Sequence, residues 1–316
     1  MEMDGVYLHR LKFINHYDPL ILWQIVRLIK RFKPDIIHSW IVQMDILCGL
    51  AARITHVPWI IREPNSAKAY CGNWKHRLRV KLAAASRAIA SNSQGGKDYW
   101  NIHYPTKACQ VIPNGLPIEA IENTPPIERQ SIGIDPDDRV LLYVGRLRGH
   151  KNIDKLIAAQ SEITEKFSIK TIICGQGPCR DSLEKQVNDA GLPGRVMFLG
   201  QLPASRIWSL MKIADVLVSL SDYEGMPNVV MEAMACKCPL LVSDIESHRE
   251  ILDEQTATFV NVGSSRQVSE GIIKILGGLS TKSGEGASAK IRTWSVSAMA
   301  RNYEKLYYES LVQGNS

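Results

Sequence analysis

From residue 34 onward, short apolar runs alternate with longer segments in which apolar residues recur at three- and four-residue spacing. The short runs fit buried strands and the longer ones amphipathic helices, and their alternation predicts parallel sheets covered by helices on both faces. In the first third the pattern predicts helices over residues 19–32, 45–54, 74–85 and 94–100, and strands over 35–39, 59–62 and 88–91. A second series follows, with strands over 140–144, 169–174, 196–199, 216–219 and 240–243 and helices near 152–166, 180–190, 205–213, 227–236 and 247–252. No internal repeat is visible.

The turn-rich stretch Ile112-Pro113-Asn114-Gly115-Leu116-Pro117, followed by the Pro/Glu-rich residues 123–129, marks a domain boundary. It places a first Rossmann-like domain at residues 1–112 and a second at 113–295. The second reads as doubly wound, a topology that binds ligands beyond the carboxyl ends of its strands. A final helix over 296–311 carries Met299, Tyr303, Leu306, Tyr307 and Leu311 at helical spacing, and is expected to pack, with the rest of 296–316, on the first domain.

Composition narrows the picture. With 316 residues, 45% hydrophobic and 22% charged, the chain can bury two ordinary cores and does not resemble a disordered protein. No apolar stretch approaches the roughly 18–20 residues of a membrane-spanning helix. The seven cysteines include no Cys-x-x-Cys pair, so they read as structural thiols of a reducing, cytoplasmic compartment. The net charge of +6 hides an asymmetry: residues 1–110 hold 16 Lys+Arg against 7 Asp+Glu, and the remainder 22 against 25. Lys75, His76, Arg77, Arg79 and Lys81 crowd one helix start, while Arg27, Lys30, Arg31 and Lys33 end another. Both read either as solvated faces or as contacts to an anionic surface, and the charge alone does not choose among nucleic acid, anionic lipid and a phosphorylated substrate.

Three clusters in the second domain follow predicted strands. Gly145-Arg146-Leu147-Arg148-Gly149-His150-Lys151 places two cations, Arg146 and Lys151, around a glycine-containing turn, where a forked guanidinium and a point charge can meet one diphosphate. Gly175-Gln176-Gly177-Pro178 lacks the third glycine of a dinucleotide fingerprint but permits a close backbone approach to a nucleoside. The third, residues 221–235, is the most specific. Pro227 is placed as the first helical residue, leaving orphan amides as an anion site. Glu224 precedes the helix and Glu232 lies in its second turn among Val230, Met231, Ala233 and Met234. An unpaired carboxylate would be costly there unless it bound hydroxyls of a ligand.

These residues resemble the retaining glycosyltransferases of family 4, which have the two-domain GT-B fold. The hallmark of that family, two glutamates separated by seven residues, stands as Glu224 and Glu232 within Glu-Gly-Met-Pro-Asn-Val-Val-Met-Glu. Val111-Ile112-Pro113-Asn114-Gly115 resembles the family hinge. The resemblance implies an α/β fold of two Rossmann-like domains facing a cleft, and the first domain, without the family's opening strand and glycine-rich loop, reads as incomplete. It also implies catalytic roles for Arg146, Lys151 and Glu224. Donor binding falls to Gly145, Gly175, Gly177, Gly225, Met226, Pro227, Asn228 and Glu232. Where many members place a histidine, this chain has Arg62 and Glu63; with His38 these are the acceptor-side candidates.

The function so implied is transfer of a sugar, with retention, from a nucleoside-diphosphate sugar to a glycan or lipid-linked glycan in cell-surface polysaccharide synthesis. No His, Cys and acid cluster has metal-ligand spacing, so neither a metal nor a cofactor beyond the nucleotide sugar is expected. Cysteine usage and the basic first half lead to the expectation of a cytoplasmic protein in contact with the inner face of the membrane, with no nucleic-acid partner. Asp135-Pro136-Asp137 imitates the metal triplet of another glycosyltransferase fold and reads as a turn. Two other readings stay open: an inactive or truncated nucleotide-sugar-binding protein, and an epimerase on the same fold.

Overall fold

A computed structural model describes residues 5–14, 18–65, 70, 74–163, 167–278 and 287–312, with the backbone alone at 287–289. Cys71, the expected helical residues 164–166 and the last four residues lie outside the described set. The chain forms two compact units, one comprising Met1–Ile112 with Arg301–Ser316 and the other Pro113–Ala300.

The first unit runs α1 (Leu20–Phe32), β1 (Ile37–Ser39), α2 (Val42–Thr55), β2 (Trp59–Glu63), α3 (Trp74–Ala83), β3 (Ala88–Ser91), α4 (Gln94–His103) and β4 (Cys109–Val111). Its four strands are parallel in the order β1-β2-β3-β4. Ser93 starts α4 by accepting the Gly96 amide at 3.2 Å, a side-chain cap that supplies a partner to one orphan donor. Expected and observed elements agree through β3. The strand β4 is an addition, because Cys109-Gln110-Val111 is too short to show a period.

A buried polar network ties this unit together. Arg79, fully buried, bonds Asp45 Oδ2 through Nε at 2.6 Å and Glu63 Oε2 through Nη1 at 2.7 Å. Trp100 Nε1 also donates to Glu63 Oε2, at 2.9 Å. The Tyr70 hydroxyl and the Asn65 amide donate to Oε1. Asp45 accepts the Ser39 hydroxyl, and Ser39 accepts the Trp59 indole N–H at 2.9 Å. Arg79 is therefore neither a solvated charge nor available to an anionic surface. It neutralises two buried carboxylates that could not otherwise remain in the core.

The second unit continues with α5 (Ile118–Asn123), β5 (Arg139–Val144), α6 (Ile153–Ile163), β6 (Ile169–Cys174), α7 (Arg180–Asp189), β7 (Val196–Gly200), α8 (Ala204–Met211) and β8 (Val216–Ser219). It ends with α9 (Asn228–Ala235), β9 (Leu240–Ser243), α10 (Glu246–Arg249), β10 (Thr258–Val260), α11 (Ser265–Leu276), α12 (Ala287–Arg292) and α13 (Val296–Val312). From residue 301 onward, α13 belongs to the first unit.

All six strands of the second sheet are parallel, in the order β10-β9-β8-β5-β6-β7. Alternate residues of β5 feed separate cores. Val140 and Leu142 join α8 and α9 on one face, whereas Leu141 and Tyr143 join α6 and α11 on the other. Burial on both faces explains why these strands read as continuous apolar runs. Truncating a residue such as Leu142 to Ala would cost about 2–5 kcal/mol. The strand order reverses between β5 and β8, the kind of switch point beyond whose carboxyl ends open α/β sheets bind their ligands. Asp135 and Asp138 exchange bonds in a turn before β5, as expected of that acidic triplet.

The six described cysteines are free thiols. Burial pushes Cys48, Cys109, Cys174 and Cys236 up to about 12, which suppresses their thiolates.

Candidate functional site

The loop after β5 is held by the loop after β6. Gly145 N–H donates to Cys174 O at 2.9 Å, Leu147 N–H to Gln176 O at 3.0 Å, and Cys179 N–H returns to Leu147 O at 3.1 Å. A Cβ on Gly175, whose φ is +140°, would lie 1.8 Å from Gly145 O, and one on Gly177 would lie 2.3 Å from Leu147 O. Both glycines are thus required by the approach of two protein loops. The sequence suggested an approach to a nucleoside; here the space a side chain would take is filled by backbone.

This support carries residues 145–152 toward the loop after β8. Asn152, in the left-handed conformation at φ 52°, donates through Nδ2 to Leu220 O at 2.8 Å and to Asp222 Oδ1 at 2.6 Å. Asp222 N–H donates to His150 O at 2.9 Å, and the His150 and Tyr223 rings stack at 4.8 Å. Asn152 thus stitches the two loops across the strand-order reversal. Its signal in sequence is faint: asparagine tolerates this conformation better than most residues.

Lys151 Nζ donates to Glu224 Oε1 inside this frame, and the Ser221 hydroxyl donates to the same oxygen at 2.7 Å. Among the described residues nothing donates to Oε2, which keeps its lone pairs for a ligand. Both side chains are partly shielded, 17% and 21% exposed, so the pair is stronger than a surface ion pair and still reachable. Arg146 is exposed and, among the described residues, its guanidinium has no partner. The two cations expected to act together therefore differ: one is held by a carboxylate and one is free.

Pro227 is buried and stands at the N-cap of α9, one residue before the helical position expected of it. No side chain caps this helix. Asn228 N–H turns back to Met226 O at 2.9 Å, leaving the Val229 and Val230 amides as orphan donors of the first turn. Met226 Sδ accepts the Asn114 amide at 3.1 Å and Asn228 Oδ1 accepts Asn114 Nδ2 at 2.6 Å, so Asn114 braces the loop around the partly buried Gly225. Glu232 is partly buried along α9. Burial raises its pKa above the ordinary carboxylate range.

His248, on α10, was not singled out in the sequence. It is fully buried, its Nδ1–H donating to Ser243 O at 2.8 Å and its Nε2 facing Ser219 Oγ at 3.5 Å. The Ser243 hydroxyl donates to Ser221 O at 2.6 Å, which links the ring to the residue that holds Glu224. Burial keeps His248 below its usual pKa, with the Ser243 carbonyl and Glu224 opposing.

The acceptor-side candidates lie in the first unit at the carboxyl ends of β1 and β2. His38 Nδ1 meets the Tyr307 hydroxyl at 2.8 Å, and its ring packs on Trp40, Tyr303 and Tyr307. Burial, then the Arg62 charge, lowers its pKa to about 4. Arg62 lies 4.1 Å over the half-exposed Trp40 ring. Glu63 does not join them, because it is fully buried in the Arg79 network with both oxygens occupied. Among the described residues no three His, Cys, Asp or Glu side chains stand close enough to share a metal ion, and no helix is long and apolar enough to cross a membrane.

A parallel sheet with a paired acid and base at its switch point, beside an uncapped helix, defines an α/β protein with orphan backbone donors and a charged pair beyond its strand ends. The family models are specific: residues 125–282 match glycosyl transferases group 1, and residues 4–120 match glycosyltransferase family 4. EpsD of Bacillus subtilis is 31% identical over 270 residues, covering 79% of this chain and 70% of its own. This chain belongs to that glycosyltransferase family. It is 25% identical, over 77% of its length and 66% of the other's, to an Escherichia coli UDP-Gal:alpha-D-GlcNAc-diphosphoundecaprenol alpha-1,3-galactosyltransferase. Anabaena Alr3699/HepE, solved in complex with UDP-glucose, shares the fold at a TM-score of 0.82 and 20% identity, covering 94% of this chain and 84% of that one. The chain spans 33–63% of the length of four other similar curated relatives.

Proposed function

We propose that this chain transfers a sugar from a nucleoside-diphosphate sugar to a hydroxyl of a glycan or lipid-linked glycan, with retention of configuration and without a metal. The observation that carries this reading is the Lys151–Glu224 pair at the β5/β8 switch point, beside the uncapped start of α9. A diphosphate placed there meets Lys151, the exposed Arg146 and the orphan amides. Negative charge that develops on the leaving diphosphate is then stabilised by groups already in position. Glu224 Oε2 accepts hydroxyls of the transferred sugar. Glu232 accepts the ribose diol, a role that compensates a carboxylate otherwise costly to hold in a partly buried site.

The relatives support this assignment: one is named for a UDP-galactose donor and a diphosphoundecaprenol-linked acceptor, and the Anabaena protein was solved with UDP-glucose. The test is incubation of the protein with a panel of nucleotide sugars, with and without lipid-diphosphate-linked acceptors, and product analysis by mass spectrometry and NMR. A glycosylated acceptor with the donor's anomeric configuration supports the reading. Conversion of the donor sugar with no acceptor present would instead assign an epimerase.

A further inference from the structure

The first unit holds a cavity of ≈ 780 Å³ at the amino-terminal edge of its sheet, below the starts of β2, β3 and β4. This is the edge opposite the strand ends that carry His38 and Arg62. Its walls include Arg53 and His56 from the end of α2, Arg87 just before β3 and Lys107 just before β4; no carboxylate lines it. Among the described residues none of these four side chains forms an ion pair with an acid.

Part of this charge answers to the fold. Lys107 Nζ donates to Ala84 O at 3.2 Å and Ser86 O at 2.5 Å, carbonyls that follow the end of α3. Each helix C-terminus carries about half a negative charge, so α2 and α3 together offset about one of the three permanent cations. About two positive charges remain, before His56 is counted. Burial first, and the neighbouring Arg87 charge second, hold Lys107 below its usual pKa. The Arg53 and Arg87 guanidinium groups, both without a described partner, offer forked donors suited to phosphate oxygens.

We infer that this cavity binds a phosphate group, presented either by a soluble phosphate or by an anionic phospholipid headgroup. None of its residues belongs to the proposed donor crevice, so the inference stands apart from the transferase reading.

The experiment uses the full chain carrying Lys151→Ala, which weakens any phosphate binding in the donor crevice. Calorimetric titration with inorganic phosphate forms one arm. The other is co-sedimentation with vesicles of phosphatidylcholine alone or mixed with phosphatidylglycerol. Each arm is repeated with Arg53→Ala/Arg87→Ala and with the single exposed change Arg53→Glu, after circular dichroism has shown that each variant is folded. Saturable phosphate binding that weakens at least about tenfold in the double variant supports the site with a soluble ligand. Binding only to the mixed vesicles, lost in the double variant, supports it with a lipid headgroup. Binding in neither arm, or binding of unchanged strength in the folded variants, overturns it.

Discussion

Lys151 Nζ is bonded to Glu224 Oε1 across the reversal of strand order in the second sheet, one residue reaching from the loop after β5 and the other from the loop after β8. Each thereby partly masks the other. On the proposed function a donor separates or shares the pair, Lys151 turning to phosphate while Glu224 turns to sugar. Lys151→Ala should slow turnover on the order of 10²–10³-fold, the loss typical of one preorganised charge-stabilising donor, with a much smaller change in KM. Glu224→Gln should also slow turnover, and the double variant should fall well short of the product of the single effects. Steady-state kinetics of the four proteins measures this coupling, and strictly multiplicative losses would show that the two residues act independently.

Glu232 should show a trade between binding and stability. Its folded pKa is raised by burial, so above that pKa the charged carboxylate destabilises the fold, and the cost fades as pH falls toward the unfolded value. Glu232→Gln should raise the thermal midpoint of the free protein at pH 7, with the difference shrinking toward pH 4.5. The same change should weaken nucleotide binding on the order of 10–100-fold through lost charge-assisted hydrogen bonds to the ribose. A variant that binds nucleotide normally would remove the ribose role.

Arg79 is a structural cation. Arg79→Met leaves Asp45 and Glu63 buried without their counter-charge, and should cost about 3–5 kcal/mol in the unfolding of the first unit. Denaturant titration followed by the fluorescence of Trp59 and Trp100, both buried beside the network, reports it. A loss under about 1 kcal/mol would mean that the carboxylates relax to solvent or protonate at little cost.

His38 gives the first unit an acid-sensitive step. Its pKa is about 4 when folded and 6.5 in the reference state, so the unfolded chain binds the proton more readily between those values. Stability from this group is intact above about pH 6.5 and declines as pH falls toward 4. His38→Gln should flatten the part of the pH–stability curve between those limits. Identical curves for the two proteins would show that the ring titrates normally.

The alternation of strands and helices made the two-sheet fold legible, because strands buried on both faces leave unbroken apolar runs such as residues 169–174 and 216–219. The Glu224/Glu232 pair was legible because Glu232 stands among apolar residues of α9 and its spacing from Glu224, in the loop before that helix, resembles the family hallmark. What the sequence could not show was pairing. Arg146 and Lys151 look equivalent along the chain, yet only Lys151 meets an acid, 73 residues away. Glu63 looks like a strand-end acid, but Arg79, Tyr70 and Trp100 close around it from later elements. Gly175 and Gly177 suggested ligand contact because a glycine records only that something comes close, and here that something is the 145–147 backbone. Strand β10 went unanticipated for want of a distinctive run in Thr258-Phe259-Val260, whereas α11 was missed although Val268, Ile272 and Ile275 stand at helical spacing.

The most direct test of the donor crevice is calorimetric titration of the protein with UDP-glucose and a panel of other nucleoside-diphosphate sugars, repeated for Arg146→Ala, Lys151→Ala and Glu232→Gln. The predicted result is saturable binding of at least one nucleotide sugar, weakened most by Glu232→Gln and less by the two loop cations. Undiminished binding in all three folded variants would place the donor elsewhere and contradict the assignment of the β5/β8 crevice.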